Sequence, residues 1–442
     1  RLQRVTETKL PGLDRRESAA TPGFREMENL CSEGYPALRT RPGRGLVETL
    51  KKPNGLLAKD ALLWVDGKHL YMNGLEVGPE LTDGEKSLVS MGAYAVVFPD
   101  KVYVNTQDVT DCGSLECERT APAGSGLALC DETGTAYSGV TESAGAPEEP
   151  REGALWLDLS GTEPVLRQYS REVWTALEGV CVKVQATGIG TGFAAGDGVE
   201  VSGCSVARLN GETVLQAVDT DWVAFPGTVA GGAVTETAMK LRRFVPEMGY
   251  VVQSGNRLWG CKYGMVDGKP VNEIYASKLG DCKNWRCFAG LATDSYAAAR
   301  GSDGVFTGAV SYLGNPIFFK ERCMERVYAS GSGAHQIVTT ECSGVQKGSA
   351  KSLQVVGGVL YYLSGDGVQA FDGSLPVCIS QALGAERYHG GVAGCWQEKY
   401  YLSALDREEK PSLLVYDSAR QLWHREDALR AVDFAGKGTE LY

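Results

Sequence analysis

The side chains that could do chemistry here are thirteen cysteines, four histidines and several close carboxylate pairs, in a chain of 442 residues. Metal ligation needs such groups close together. Zinc knuckles and redox motifs hold two cysteines two residues apart. Cys112/Cys117 and Cys282/Cys287 each have a gap of four. His69, His335, His389 and His424 lie away from both. No zinc site and no cofactor is expected, and the cysteines read as buried thiols in a reducing compartment. Calcium in an Asp-rich turn stays open.

Nucleophile and phosphate chemistry find no frame either. Gly188, Gly190 and Gly192 suggest a nucleotide loop, but Phe193 breaks the dinucleotide spacing and no Lys-Ser or Lys-Thr follows. They read as a β-turn. No Gly-x-Ser-x-Gly elbow occurs. Asp219/Asp221 and Glu408/Glu409 are paired carboxylates, yet a catalytic dyad needs the fold to set its separation. Both pairs read as solvated loop charges. Gly301-Ser302-Asp303-Gly304-Val305-Phe306-Thr307 and Ser364-Gly365-Asp366-Gly367 brush against the aspartate loop of sialidase propellers. Their Asp-to-Gly spacing is wrong, and the Asp-Gly pairs read as hairpin turns. Trp156, Trp174, Trp259, Trp285, Trp396 and Trp423 are mostly flanked by strand residues, so core packing is favoured over sugar stacking. The chain is not expected to be an enzyme.

The elements that would position these residues are strands. Glycine is 56 of 442 residues, about 13% against about 7% in average proteins. Proline is modest at 17. Many glycines with few prolines fit many tight turns between short strands. The net charge of -11 argues against a large phosphate-binding face. It does not exclude lining a passage through which DNA slides. No apolar run approaches the roughly 20 residues of a spanning helix, and no secretory signal is visible. The chain opens on Arg1 and stops in mid-pattern after Tyr442, so further residues at both ends are expected.

Residues 1–50 read as an extended N-terminal arm that must lie across its own body or a neighbour. A short helical turn is expected near Phe24–Leu30. Tyr35 to Arg44 is basic and carries helix-discouraging prolines. Arg39, Arg41 and Arg44 are the candidate subunit-interface residues. They pair with acidic surface on a neighbouring subunit or stay solvated. From residue 51 an apolar strand, a turn and an aromatic strand recur, as in Leu62–Val65, Asp66-Gly67-Lys68, His69–Met72. Near the C-terminus the unit can be laid at about residues 250, 305, 352 and 391, a period of about 40 to 55. The predicted fold is all-β: a β-propeller of six to eight blades, with an inserted small β-barrel. Its first part spans 51–179 and includes a long polar loop at 106–152. The barrel, for which a sandwich is the alternative, spans 180–245 and the second propeller part 246–442. The last stretch, Ala431 to Tyr442, looks like the first hairpin of another blade.

Three blocks carry a family resemblance. One holds Asn256-Arg257-Leu258-Trp259-Gly260, Asn272 to Asp281 and Asn284-Trp285, with a Gly-Asp-x-x-Asn-Trp loop at 280–285. The second holds Phe306 to Val310 and Pro316-Ile317-Phe318-Phe319-Lys320-Glu321. The third runs from Gly348 to Gly373, with Ile379-Ser380. Together they resemble β-propeller tail or neck proteins of bacteriophages and prophages, similar to the stabilisation and tail-nozzle proteins of short-tailed phages. The resemblance implies a structural virion protein with no catalytic residues, assembled in the bacterial host cytoplasm. It implies an oligomeric ring, commonly sixfold, that meets portal, adaptor or other tail proteins. DNA would pass through its channel without sequence-specific binding. The runner-up reading is a host-surface carbohydrate-binding propeller, an adhesin. A cellular scaffold propeller is third, without WD-type or kelch signatures to support it.

Overall fold

Turn chemistry sets the architecture. Gly67, Asn73 and Gly74 all sit at positive φ, at 61°, 49° and 88°. Such residues reverse the chain in hairpins whose twist matches the flanking strands. Strands Leu62–Asp66, His69–Met72 and Leu75–Val77 therefore follow one another as a meander. The same device repeats at Gly357-Gly358 and Gln397-Glu398.

The computed structural model describes residues 12–17, 23–37, 39–330 and 332–442. The described residues form strands and three short 3-10 turns. No helix among them is long and apolar enough to cross a membrane. The chain divides into two compact units. The first holds 1–113, 247–275 and 297–442; the second holds 114–246 and 276–296.

The first unit is built on six four-stranded sheets, each in chain order. They span residues 53–77, 87–114, 250–299, 306–341, 354–378 and 389–427. This is propeller-like, and the six sheets are called blades one to six. The last four begin where the repeat was laid in the sequence. Inner strands such as Val359–Ser364 and Lys399–Leu405 are buried almost throughout. A sheet packed on both faces has no solvated side, so its apolar runs are continuous. One core joins blades one and two through Leu63, Val65, Ala95 and Val97. Another joins blades four and five through Phe319, Met324, Tyr362 and Phe371. A third joins blades five and six through Tyr361, Tyr400 and Trp423. The C-terminal stretch forms the hairpin Gly436–Lys437 with Glu440–Leu441. Phe434 and Leu441 pack with Tyr401, Leu413 and Val415 of blade six.

The second unit has three four-stranded sheets. Two of them face one core that includes Leu127, Val182, Val184, Val201, Phe225 and Leu241. Where the sequence pointed to a small barrel, the strand pairing among the described residues leaves two separate sheets, a sandwich. The reason is local. Gly211–Val214 belongs to one sheet and Ala217–Asp219 to the other. Between them the fully buried Leu215 turns into the core, so the chain changes sheets at a corner. Residues 106–152 hold strands Cys112–Ser114, Cys117–Ala121, Gly126–Cys130 and Val140–Ser143. Their polar composition belongs to half-exposed strands, as in the alternating burial of Cys117–Ala121. The third sheet, 140–176, pairs Val140–Ser143 parallel to Leu155–Asp158 and continues antiparallel.

Two local expectations are corrected. Phe24–Leu30 is not helical: Phe24 bridges Leu13, and the Asn29 N–H donates to the Glu426 carbonyl. Backbone bonds to a neighbouring strand replace those a helix would make. Asp366-Gly367 does sit at a hairpin, but Asp303-Gly304 lies in the link between blades three and four. That link is held from the side, since the Ser302 carbonyl accepts from Lys320.

Candidate arm interface

The arm lies along the outer strand of blade six, Leu422–Asp427. Outer strands present unpaired backbone groups, and an extended segment can satisfy them. The Leu13 N–H donates to the Trp423 carbonyl at 2.7 Å, and Asn29 does the same to Glu426 at 2.5 Å. Leu13 and Met27 enter the core of blades five and six. Leu30–Cys31 pairs with Arg39–Thr40 as a two-stranded ribbon.

Side chains complete the seam. Arg44 spans two carboxylates, with Asp427 at 2.5 Å and Glu426 at 2.9 Å. Arg41 reaches Asp427 at 3.1 Å and donates to Asn29. Ser32 donates to Asp417 at 2.5 Å. Burial alone would raise the Asp427 carboxyl, but the Arg44 hydrogen bond, the Leu429 N–H and the charges of Arg44 and Arg41 together outweigh it and hold the group below its ordinary range. At Glu426 burial wins over Arg44 and the carboxyl is pushed up. Of the three predicted arginines, Arg41 and Arg44 thus meet acids of their own chain. Arg39 lies in the exposed ribbon strand.

Beneath this seam lies a histidine that the sequence reading named only as lying away from the cysteine pairs. His424 is 1% exposed. Burial pushes its pKa down to about 4; Lys399 acts the same way and Asp417 opposes. Glu426, Asp427 and His424 were legible only through alternation along the strand. His424 and Glu426 fall on the covered face, with Arg425 turned outward.

The residues that carry the family resemblance are structural. In the second unit, Asn284 is fully buried. Its side chain accepts from the Gly198 N–H at 3.1 Å and donates to the Gly196 carbonyl at 2.8 Å. Lys278 donates to the same carbonyl, and Trp285 donates to Cys282. Nearby, Arg243 pairs with the buried Asp197, whose carboxyl burial pushes up. In the first unit, Lys320 is 1% exposed. Its ammonium donates to Asn272 and to the Ser302 carbonyl, and lies 4.5 Å from the centre of the Phe306 ring. Burial lowers its pKa. The fully buried Glu325 accepts from Arg300 and Ser302.

The remaining candidates separate. All thirteen cysteines are free thiols, eight of them buried. Among the described residues no three His, Cys, Asp or Glu side chains cluster as metal ligands. Asp219, Asp221, Glu408 and Glu409 are exposed. Gly188 to Gly192 form a turn; a side chain at Gly190 would strike the Asp219 carbonyl. Trp259, Trp285 and Trp423 are core residues. Trp174 differs, being half-buried, while its neighbour Trp156 is buried. Register places them on one face of the third sheet with Arg167 and Tyr169. Trp174 stands edge-on to Trp156 at 5.4 Å and near Tyr169 at 5.2 Å, with Arg167 over Trp156.

No protein-family model and no curated protein matches the chain. Among solved structures it is similar to the phage phi92 endosialidase, with 8% identity and a TM-score of 0.27. The match covers 87% of this chain, which spans 60% of the length of that one.

Proposed function

We propose that this protein is a structural component of a phage or prophage virion, assembling as a ring in the tail or neck. One observation carries the reading: the residues that resemble that family, Asn284, Trp285 and Lys320, are buried scaffold members. Their hydrogen bonds fix loops to strands and leave no reactive atom at a surface. A rigid array of sheets with one edge strapped by an arm suits a load-bearing wedge. The test is the mass of the full chain by light scattering, with negative-stain images of the same sample. A ring, or a monomer that becomes a ring on adding portal or adaptor protein, supports the reading.

A second reading, a glycan-binding adhesin, is favoured by the face that carries Trp156, Tyr169 and Trp174. The half-buried rings of Tyr169 and Trp174, beside the buried Trp156 and the half-buried Arg167, offer the stacking and hydrogen bonds that sugars accept. A chain that stays monomeric and binds glycans on an array, with binding lost in Trp174→Ala, would replace the ring by the adhesin.

A further inference from the structure

Cys130 and Cys181 stand directly opposite each other on neighbouring antiparallel strands, Gly126–Cys130 and Cys181–Gln185. Opposed residues point to the same face of a sheet. Both are buried, at 0% and 1% exposure, and they share a small cluster with Ala224. Backbone bonds decide which kind of pair they are. The Leu127 N–H donates to Ala233, and the Leu129 carbonyl accepts from Tyr137. Odd positions therefore turn their backbone groups away from the partner strand, and Cys130 turns its groups toward it. In such a hydrogen-bonded pair the Cα atoms lie about 5.5 Å apart. Disulfides span Cα separations of roughly 4.4–6.8 Å, most often about 5.5–6 Å.

The position of the pair gives it meaning. Between Cys130 and Cys181 the chain leaves the sandwich, builds the whole third sheet at 140–176, and returns. The two thiols stand at the base of that excursion. Gly126–Cys130 is also the end strand of its sheet. The excursion thus hangs from one outer strand and one inner strand.

We propose that Cys130 and Cys181 are a latent dithiol that closes to a disulfide and clamps the base of the 131–180 excursion. The co-reactant is a small-molecule disulfide. One protein thiolate attacks it, forming a mixed disulfide and releasing one small thiol. The second protein thiolate attacks the mixed disulfide at the protein sulfur and releases the other small thiol. Two protein thiols are oxidised, one small disulfide is reduced, and the two protons end on the released thiols or in solvent. The Cys181 thiol gives up its contact with the Gly179 carbonyl. Burial holds both thiols up, at about 11 and about 12, so closure waits on opening of the outer strand and quickens with pH.

The test uses the full chain, reduced and then incubated with oxidised glutathione at pH 8. Free thiols are alkylated under denaturing conditions, and peptides are mapped without reductant. The expected product is a linked pair of peptides containing Cys130 and Cys181, two hydrogens lighter than the separate thiols and released by dithiothreitol. Digestion within 131–180 should slow by about tenfold or more on oxidation. A Cys130→Ala/Cys181→Ala variant should lose that slowing while folding as the reduced protein does. Suppose Cys112 and Cys378 carry glutathione while Cys130 and Cys181 are recovered alkylated. The proposal is then overturned. It is overturned equally if either cysteine is found joined to a different one.

Discussion

The Arg44 guanidinium sits 2.5 Å from the Asp427 carboxylate, tying the segment before blade one to the last strand of blade six. The two residues lie 383 positions apart. The contact is not a lone surface ion pair, because Arg41 shares Asp427 and Arg44 shares Glu426. Backbone bonds from Leu13 and Asn29 run along the same strand. The arm lies against the outer strand of blade six through isolated backbone bonds, and the arginines anchor it there.

Removing that tie should loosen the arm before it unfolds the blades. Arg44→Ala is expected to cost about 1 kcal/mol, near the upper end for exposed pairs, because Asp427 is largely covered. Arg41→Ala should cost less. The double variant should cost less than the sum, since both arginines share Asp427. Limited proteolysis reads the effect: cleavage between residues 41 and 50 should quicken in the variant and, more weakly, in the wild type at high salt. Salt-independent cleavage would remove the electrostatic account.

His424 gives the seam a pH dependence. Its ordinary pKa is 6.5, and in the folded protein it is about 4. The unfolded chain therefore takes up a proton below 6.5 that the folded chain refuses. Its contribution to stability is full above 6.5 and is lost as the pH falls from 6.5 to 4, by about 3 kcal/mol at most. Glu426 works in the opposite sense, because its carboxyl is raised and its neutral form is favoured in the fold. Only a comparison isolates the imidazole. Denaturant melts at pH 7 and pH 5 should show the wild type losing more stability than His424→Phe. Equal losses would place the acid sensitivity elsewhere.

The Gly-Asp-x-x-Asn-Trp loop makes a prediction about the second unit. Asn284→Ala leaves the buried Gly198 N–H without its side-chain partner, while the Gly196 carbonyl keeps the bond from Lys278. An unsatisfied buried group costs about 1–3 kcal/mol, so a loss of about 1–3 kcal/mol is expected. Asn284→Asp restores the acceptor for Gly198 but not the donor for Gly196, and should recover only part of it. Thermal melts followed by tryptophan fluorescence report on Trp285 within that loop. An Asp variant no better than Ala would mean that neither the shape of the side chain nor the bond from the Gly198 N–H holds the loop.

What was legible in the sequence depended on range. Hairpins such as Asp66-Gly67 and Asn73-Gly74 are decided by residues next to one another, so the blades and their spacing could be read. The seam between Arg44 and Asp427 is decided by residues at opposite ends of the chain, and no local pattern announces it. The arginines were visible as a basic run, but their partners were not. Barrel and sandwich could not be told apart for the insert because Leu215 changes sheets in a single buried step, which hydrophobic alternation cannot show. The strands within 106–152 were hidden for a different reason. Half-exposed strands such as Cys117–Ala121 carry Glu and Arg on their wet face and read as loop. Asn284 and Lys320 were noticed as parts of a resemblance, and only coordinates reveal them as buried connectors.

Lys320 and Glu325 permit the sharpest separation of charge from packing. Both are buried, but their surroundings differ. Glu325 is bound by the Arg300 guanidinium and the Ser302 hydroxyl. Glu325→Ala would leave a half-buried cation with no counter-charge and open a cavity, and breaking such a pair costs about 3–5 kcal/mol. Lys320 instead lies against Phe306 and Tyr263, with two neutral oxygen acceptors. Lys320→Met removes the desolvated charge while its chain still fills the space between the rings. The two orphaned oxygens pull the other way, so the net cost should stay under about 2 kcal/mol. Denaturant unfolding of both variants decides the matter. If Lys320→Met were the more damaging of the two, the ammonium would be holding the link between blades three and four, and Glu325 would be secondary.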